Sequence, residues 1–170
     1  MECPSWLDTN DARAVCSGQV SCRIRPPNQM EMDNGSTRCM TLEGSATAKI
    51  GDDSGRPQSF TLDHIFDQGT SQKDVYTLTA GGLIADVFAG YNTTIFAYGQ
   101  TGSGKTHTMM GVPGSEQAGI IPRLVHDIFK GIDDADPNIE FTVKVSYVEI
   151  YNERLRDLLE PAKVNLKIRE

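Results

Sequence analysis

Thr94-Ile95-Phe96-Ala97-Tyr98-Gly99-Gln100-Thr101-Gly102-Ser103-Gly104-Lys105-Thr106-His107-Thr108-Met109-Met110 reads as an apolar strand, a glycine loop and the first turn of a helix. Gly99 through Thr106 satisfies the phosphate-loop pattern G-x-x-x-x-G-K-[ST] in full. Glycines at 99, 102 and 104 let the backbone turn tightly and bring its N–H groups close to an anion. Gln100, Thr101 and Ser103 fill the positions between them. The donors stand at a helix N-terminus, where they lack intrahelical partners and the dipole amounts to about half a positive charge. Lys105 adds an ammonium that can follow the β- and γ-phosphates, and the Thr106 hydroxyl is placed to ligate Mg²⁺. The plainer reading is a glycine-rich turn that binds nothing. The apolar run before the loop and the helix-compatible residues after it argue against that.

Outward from this stretch, the chain has the length of one domain or part of one, at 170 residues. Its composition, 38% hydrophobic and 23% charged, suffices to bury a core. A net charge of −7 speaks against a broad nucleic-acid-binding face. Residues 1–18 carry no signal-peptide pattern and no apolar stretch reaches membrane-spanning length, so a cytoplasmic location is expected. Cys3, Cys16, Cys22 and Cys39 form no C-x-x-C pair and read as reduced thiols.

In chain order, residues 1–17 are polar and aperiodic and read as a flexible N-terminal extension; 18–170 form the domain. Gln19 to Ile24 is a short strand ended by Arg25-Pro26-Pro27-Asn28. Strands near Arg38–Leu42 and Ala46–Ile50 are expected, followed by a turn at Gly51–Gly55. Ser59–Phe66 is a strand running into a turn. Ser71 is a helix N-cap with Asp74 in a capping-box-like position, and Val75, Leu78, Leu83, Val87 and Phe88 mark one face of the helix that follows, up to Gly90. After the phosphate loop the helix is interrupted by a loop at 111–119. A second helix begins at Pro122, with a stripe of Leu124, Ile128 and Ile132 and Phe129 beside it. Phe141–Val148 alternates cleanly and reads as a strand; Glu149–Leu159 reads as a helix with Leu155, Leu158 and Leu159 inward.

These residues resemble the kinesin motor domain. The Ile95–Met109 stretch is similar to the kinesin phosphate loop almost letter for letter, and Arg23-Ile24-Arg25-Pro26-Pro27-Asn28 resembles the R-x-R-P-x-N segment. Phe60–Asp67, Gly119–Arg123 and Val145–Glu153 resemble three further segments in family order, with Leu62 and His64-Ile65 as departures; the last is most similar to conventional heavy chains. The resemblance implies an α/β P-loop NTPase fold, with a central twisted, mostly parallel sheet flanked by helices, present here in its N-terminal part. It implies ATP or ADP with Mg²⁺ as ligand and, in the complete motor, ATP hydrolysis coupled to movement on microtubules. Arg23, Arg25 and Pro26 would then pack along the adenine and His107 would stack on its other side. The family's N-x-x-S-S-R-S-H and D-L-A-G-S-E segments do not occur in the 170 residues. Glu149 is the nearest internal substitute for a metal carboxylate, but the resemblance puts its strand away from the phosphates. The alternative is therefore a nucleotide-binding fragment without turnover. A small P-loop kinase ranks behind both, because the 111–119 loop contains no arginine. The Ile95–Ala97 strand would be flanked in this family by strands from later in the chain, so the isolated chain is expected to be marginally stable.

Overall fold

The computed structural model describes residues 18–36, 39–51, 57–163 and 166–168. The expected N-terminal extension, Cys3, Cys16, Arg38 and all but Gly51 of the 51–55 turn lie outside them. The chain divides into two compact units, Met1–Lys130 and Gly131–Glu170.

In the first unit, β1 (Ser21–Arg23) leads through the proline pair into α1 (Gln29–Asp33). Then come β2 (Met40–Glu43), β3 (Thr47–Ile50), β4 (Gln58–Thr61) and β5 (His64–Phe66). The helices α2 (Gln72–Thr79), α3 (Leu83–Phe88), α4 (Lys105–Met109) and α5 (Ile120–Asp133) follow. β1 pairs with β5 in parallel, Cys22 opposite Ile65, and the ladder is extended at both ends by Asp63 N–H to Val20 O and Ile24 N–H to Phe66 O. β2, β3 and β4 form an antiparallel meander, with Leu42 opposite Ala48 and Ala48 opposite Phe60. What reads in sequence as one strand, Ser59–Phe66, is thus two strands in two sheets, separated at Leu62-Asp63.

Ser71 caps α2 as its sequence suggests, accepting from the Asp74 N–H. The helix does not continue to Phe88. At Gly81-Gly82 the four-residue bonding pattern is lost: Ala80 N–H and Gly81 N–H share Tyr76 O, Leu83 N–H bonds Ala80 O, and α3 starts afresh. Two adjacent glycines cost about 1 kcal/mol each in a helix interior, enough to favour the break. The inward face is also not the expected one. Val75 is 2% exposed, but Leu78 is 50% exposed, and the buried α2 residues are Gln72, Val75 and Tyr76. The stripe runs i, i+3, i+4 from a polar residue, which hydrophobic periodicity alone passes over.

Tyr76, Ala80 and Ile120 form the core that positions the phosphate loop, with Ile95, Met109 and Leu124 packed against it. The Tyr76 hydroxyl donates to Asp127 on α5 at 2.5 Å. Burial and that carboxylate push the Tyr76 phenol well above its ordinary pKa, and the same bond holds the Asp127 carboxyl low. Residues 94–98, expected as a strand, are not in one: among the described residues no strand pairs with them.

In the second unit, the expected Phe141–Val148 strand is assigned only at its last residue, and the expected helix at Glu149–Leu159 is a hairpin. β6 (Val148–Tyr151) and β7 (Arg154–Asp157) pair antiparallel, Ile150 opposite Leu155. Asn152 and Glu153 sit at φ 48° and 59°, the two left-handed residues of a type I′ turn, which matches the twist of the strands it joins. Glu149 stands opposite Arg156 on this hairpin. A left-handed conformation costs a non-glycine residue about 1–2 kcal/mol. Glu153→Gly is therefore expected to raise stability by about 1 kcal/mol, read as a higher denaturation midpoint, whereas Glu153→Val should lower it.

Candidate nucleotide-binding site

The phosphate loop is built by three contacts and a chirality. Gly104, the N-cap of α4, has φ 100°, a conformation that side chains rarely tolerate. At Gly99, with φ 153°, a Cβ would lie 2.5 Å from Ser103 Oγ and 3.2 Å from its Cβ, so a side chain there would force Ser103 to move. The closure is fixed by Ser103 N–H donating to Gln100 O at 3.1 Å. The Lys105 ammonium arches back over the loop and donates to Gly99 O at 2.7 Å and Gln100 O at 2.8 Å. Thr106 and His107 follow in the first turn of α4, both with exposed side chains.

The structure brings Arg25 to this loop across 77 residues of sequence. Its Nε donates to Gly102 O at 2.7 Å, and a Cβ placed on Gly104 would lie 4.0 Å from the Arg25 Cβ. The guanidinium also donates to Pro26 O and makes a two-pronged pair with Glu31, through Nη1 to Oε2 at 2.7 Å and through Nη2 to Oε1. Glu31 in turn belongs to a capping box. Asn28 Oδ1 accepts from Glu31 N–H at 2.8 Å, and Glu31 Oε2 accepts from Asn28 N–H at 2.9 Å. Asn28 entered the sequence reading only as the end of the proline segment and Glu31 not at all, although N-x-x-E after the proline pair is a capping signature.

Arg23 goes elsewhere. Its Nη1 donates to Gln72 Oε1 at 2.7 Å and Thr108 Oγ1 at 3.0 Å, and its Nη2 reaches Thr70 O at 3.4 Å. Half-buried, with its pKa lowered by desolvation, it fastens β1 to the start of α2 and the flank of α4. Of the two arginines expected at the base, Arg25 stands at the loop, while Arg23 is held by these internal partners. Gln72, 3% exposed, is the residue the sequence reading passed over. Its Nε2 donates to His107 O at 2.7 Å and Gln117 O at 3.1 Å.

The Arg25 pair, followed by the Asn28 N–H, pulls the Glu31 carboxyl from 4.5 down to about 2. A folded pKa below the unfolded one stabilises fully above about 4.5, and that contribution is lost as pH falls toward about 2. Glu31→Gln should accordingly lower the denaturation midpoint at pH 6. The gap from the unaltered chain should close progressively on acidification from pH 4.5 to pH 2.

Residues 23–170 match the kinesin motor domain family. Kinesin heavy chain from Caenorhabditis elegans is 48% identical over 158 residues, and kinesin-1 heavy chain from Homo sapiens is 47% identical over 158. Kinesin-related protein 3 of Dictyostelium discoideum is 46% identical over 160. Each alignment covers 92% of this chain, but only 19%, 16% and 13% of the respective relative. The solved structure of a fast kinesin superposes with a TM-score of 0.84 at 42% identity, over 89% of this chain and 43% of that one. With a phosphate loop at 99–106, a parallel β1–β5 pair beside it and this likeness in sequence and coordinates, the chain belongs to the kinesin motor-domain family of P-loop NTPases.

Proposed function

We propose that residues 99–106 cradle the phosphates of ATP or ADP, and that the chain is the nucleotide-binding part of a microtubule-based motor that works in the cytoplasm. The observation that carries this reading is the loop itself: a complete G-x-x-x-x-G-K-T turn at the head of α4, closed through Ser103, with a cation folded onto its carbonyls. The Lys105 ammonium trades two neutral carbonyls for phosphate oxygens, an exchange favoured because charge-assisted bonds are about twice as strong as neutral ones. Thr106 has the position and exposure to hold Mg²⁺, which when bound offsets phosphate charge and orients the terminal groups. Arg25 is bonded to the loop at Gly102, and His107 is exposed in the first turn of α4; with Pro26 they would sandwich adenine. Hydrolysis and movement along microtubules belong to the complete motor in this proposal, as the names of its relatives imply.

Calorimetric titration with Mg·ADP tests the binding. Lys105→Ala removes a contact worth about 1.5–3 kcal/mol, so affinity should fall roughly ten- to a hundredfold. Equal affinity in the two chains would refute a phosphate role for this loop.

A further inference from the structure

α4 is a helix of five residues, too short to satisfy its own C-terminal carbonyls. Two of them are met locally or by the chain beyond. Thr106 O accepts from Met110 N–H and Gly111 N–H, and Met110 O accepts from Gly119 N–H. His107 O takes its hydrogen bond from a side chain 35 residues earlier, the Gln72 amide. The same amide holds Gln117 O in the loop after α4, and its oxygen accepts from Arg23 Nη1. Arg23 Nη1 in turn donates to Thr108, the residue after His107. One buried amide therefore fixes the backbone at 107 directly and reaches the Thr108 side chain through Arg23.

We infer that Gln72 is a positioning residue for the base side of the nucleotide site: it sets where the His107 ring stands, while leaving the phosphate cradle to the loop's own bonds. The inference rests on the nucleotide reading above. The division follows from where the restraints fall. The cradle is closed by Ser103 to Gln100 and covered by Lys105 on Gly99 and Gln100, none of which involves Gln72. Gln72 acts a turn further on, at the residues that carry the base. Only an amide fits the place: it must donate twice to carbonyls from nitrogen and accept from a guanidinium at oxygen. A glutamate keeps the Arg23 contact but turns carboxylate oxygens toward two carbonyls, and a leucine loses all three bonds.

Comparing Mg·ADP with Mg·tripolyphosphate, which has no base, separates the two halves of the site. Gln72→Glu and Gln72→Leu are expected to weaken Mg·ADP by about five- to twentyfold, the effect of one or two lost buried hydrogen bonds, with Mg·tripolyphosphate changed less than about twofold. In the unaltered chain, the Gln72 side-chain amide resonance should shift on saturation with Mg·ADP and stay in place with Mg·tripolyphosphate; this measurement decides the matter if either variant fails to fold. Equal losses for the two ligands, unchanged Mg·ADP affinity, or an amide signal indifferent to Mg·ADP would overturn the inference. Failure of the unaltered chain to bind either ligand would instead overturn the nucleotide reading and this inference with it.

Discussion

A helix of five residues does not hold itself together. Nucleating its first turn fixes about six dihedral angles for one hydrogen bond, so α4 exists because other parts of the chain hold its ends. Gly104 turns the backbone into it with a left-handed residue. At the other end, Gln72 and Gly119 satisfy carbonyls that have no partner within the helix. Met109 anchors it sideways on Tyr76, Ala80 and Ile120. Everything the phosphate loop can do depends on this borrowed rigidity, since the N–H groups at its mouth are useful to an anion only if they converge without further cost in entropy. Just past its end, Gly111 leaves no room for a side chain: a Cβ there would meet Gln117 O at 2.0 Å.

Electrostatics in the site run against the rest of the chain. The net charge is −7, yet three cations converge on the loop and its flank, and each is already engaged. Arg25 is tied to Glu31, Lys105 to two carbonyls and Arg23 to Gln72 and Thr108. The three differ in what a phosphate could displace. On the proposed reading, Lys105 would give up neutral acceptors for charged ones. Arg25 is held in a bidentate carboxylate pair, a geometry that fixes its plane beside Gly102 while consuming its charge. It is suited to present a flat face to a base and poorly suited to chase a phosphate. Arg23 is half-buried and bonded on both Nη atoms, and moving it would undo the link between β1 and α4.

The parts legible in the sequence were those where a local pattern fixes geometry. The phosphate loop needs glycines at set positions, and the Ser71 cap needs a hydroxyl before a helix; both read directly from residue type. Long-range chemistry was harder. Nothing local in Gln72 announces that its amide spans Arg23, His107 and Gln117, and the periodicity that sought an apolar stripe took exposed Leu78 in its place. At 149–159, Leu155, Leu158 and Leu159 carry a helical spacing. The backbone instead folds at Asn152-Glu153, a pair with less left-handed preference than the Asn-Gly that would have marked a hairpin. Short apolar runs are ambiguous between the two periods, and the tie is broken by pairing that the run itself does not encode.

Residues 93–99 show how far a sequence can carry a strand without its ladder. Exposure alternates along them with a period of two: Thr93, Ile95, Ala97 and Gly99 are half-buried, while Thr94, Phe96 and Tyr98 are open, Phe96 at 80% and Tyr98 at 91%. The backbone therefore keeps the side-chain geometry of a strand, with Ile95 seated on the core beneath α2, α4 and α5, although no strand pairs with it among the described residues. A run that is apolar on both faces is the composition of a strand covered on both, as in parallel sheets enclosed by helices. Here one face is met. The phosphate loop hangs from the C-terminal end of this segment, so its position is restrained firmly through α4 and only through Ile95 and its neighbours on the other side. A strand laddered to 93–98 would supply the missing restraint, holding the loop from its entry as Gln72 holds it from its exit, and would remove the unpaired edge that makes an exposed apolar strand prone to aggregate.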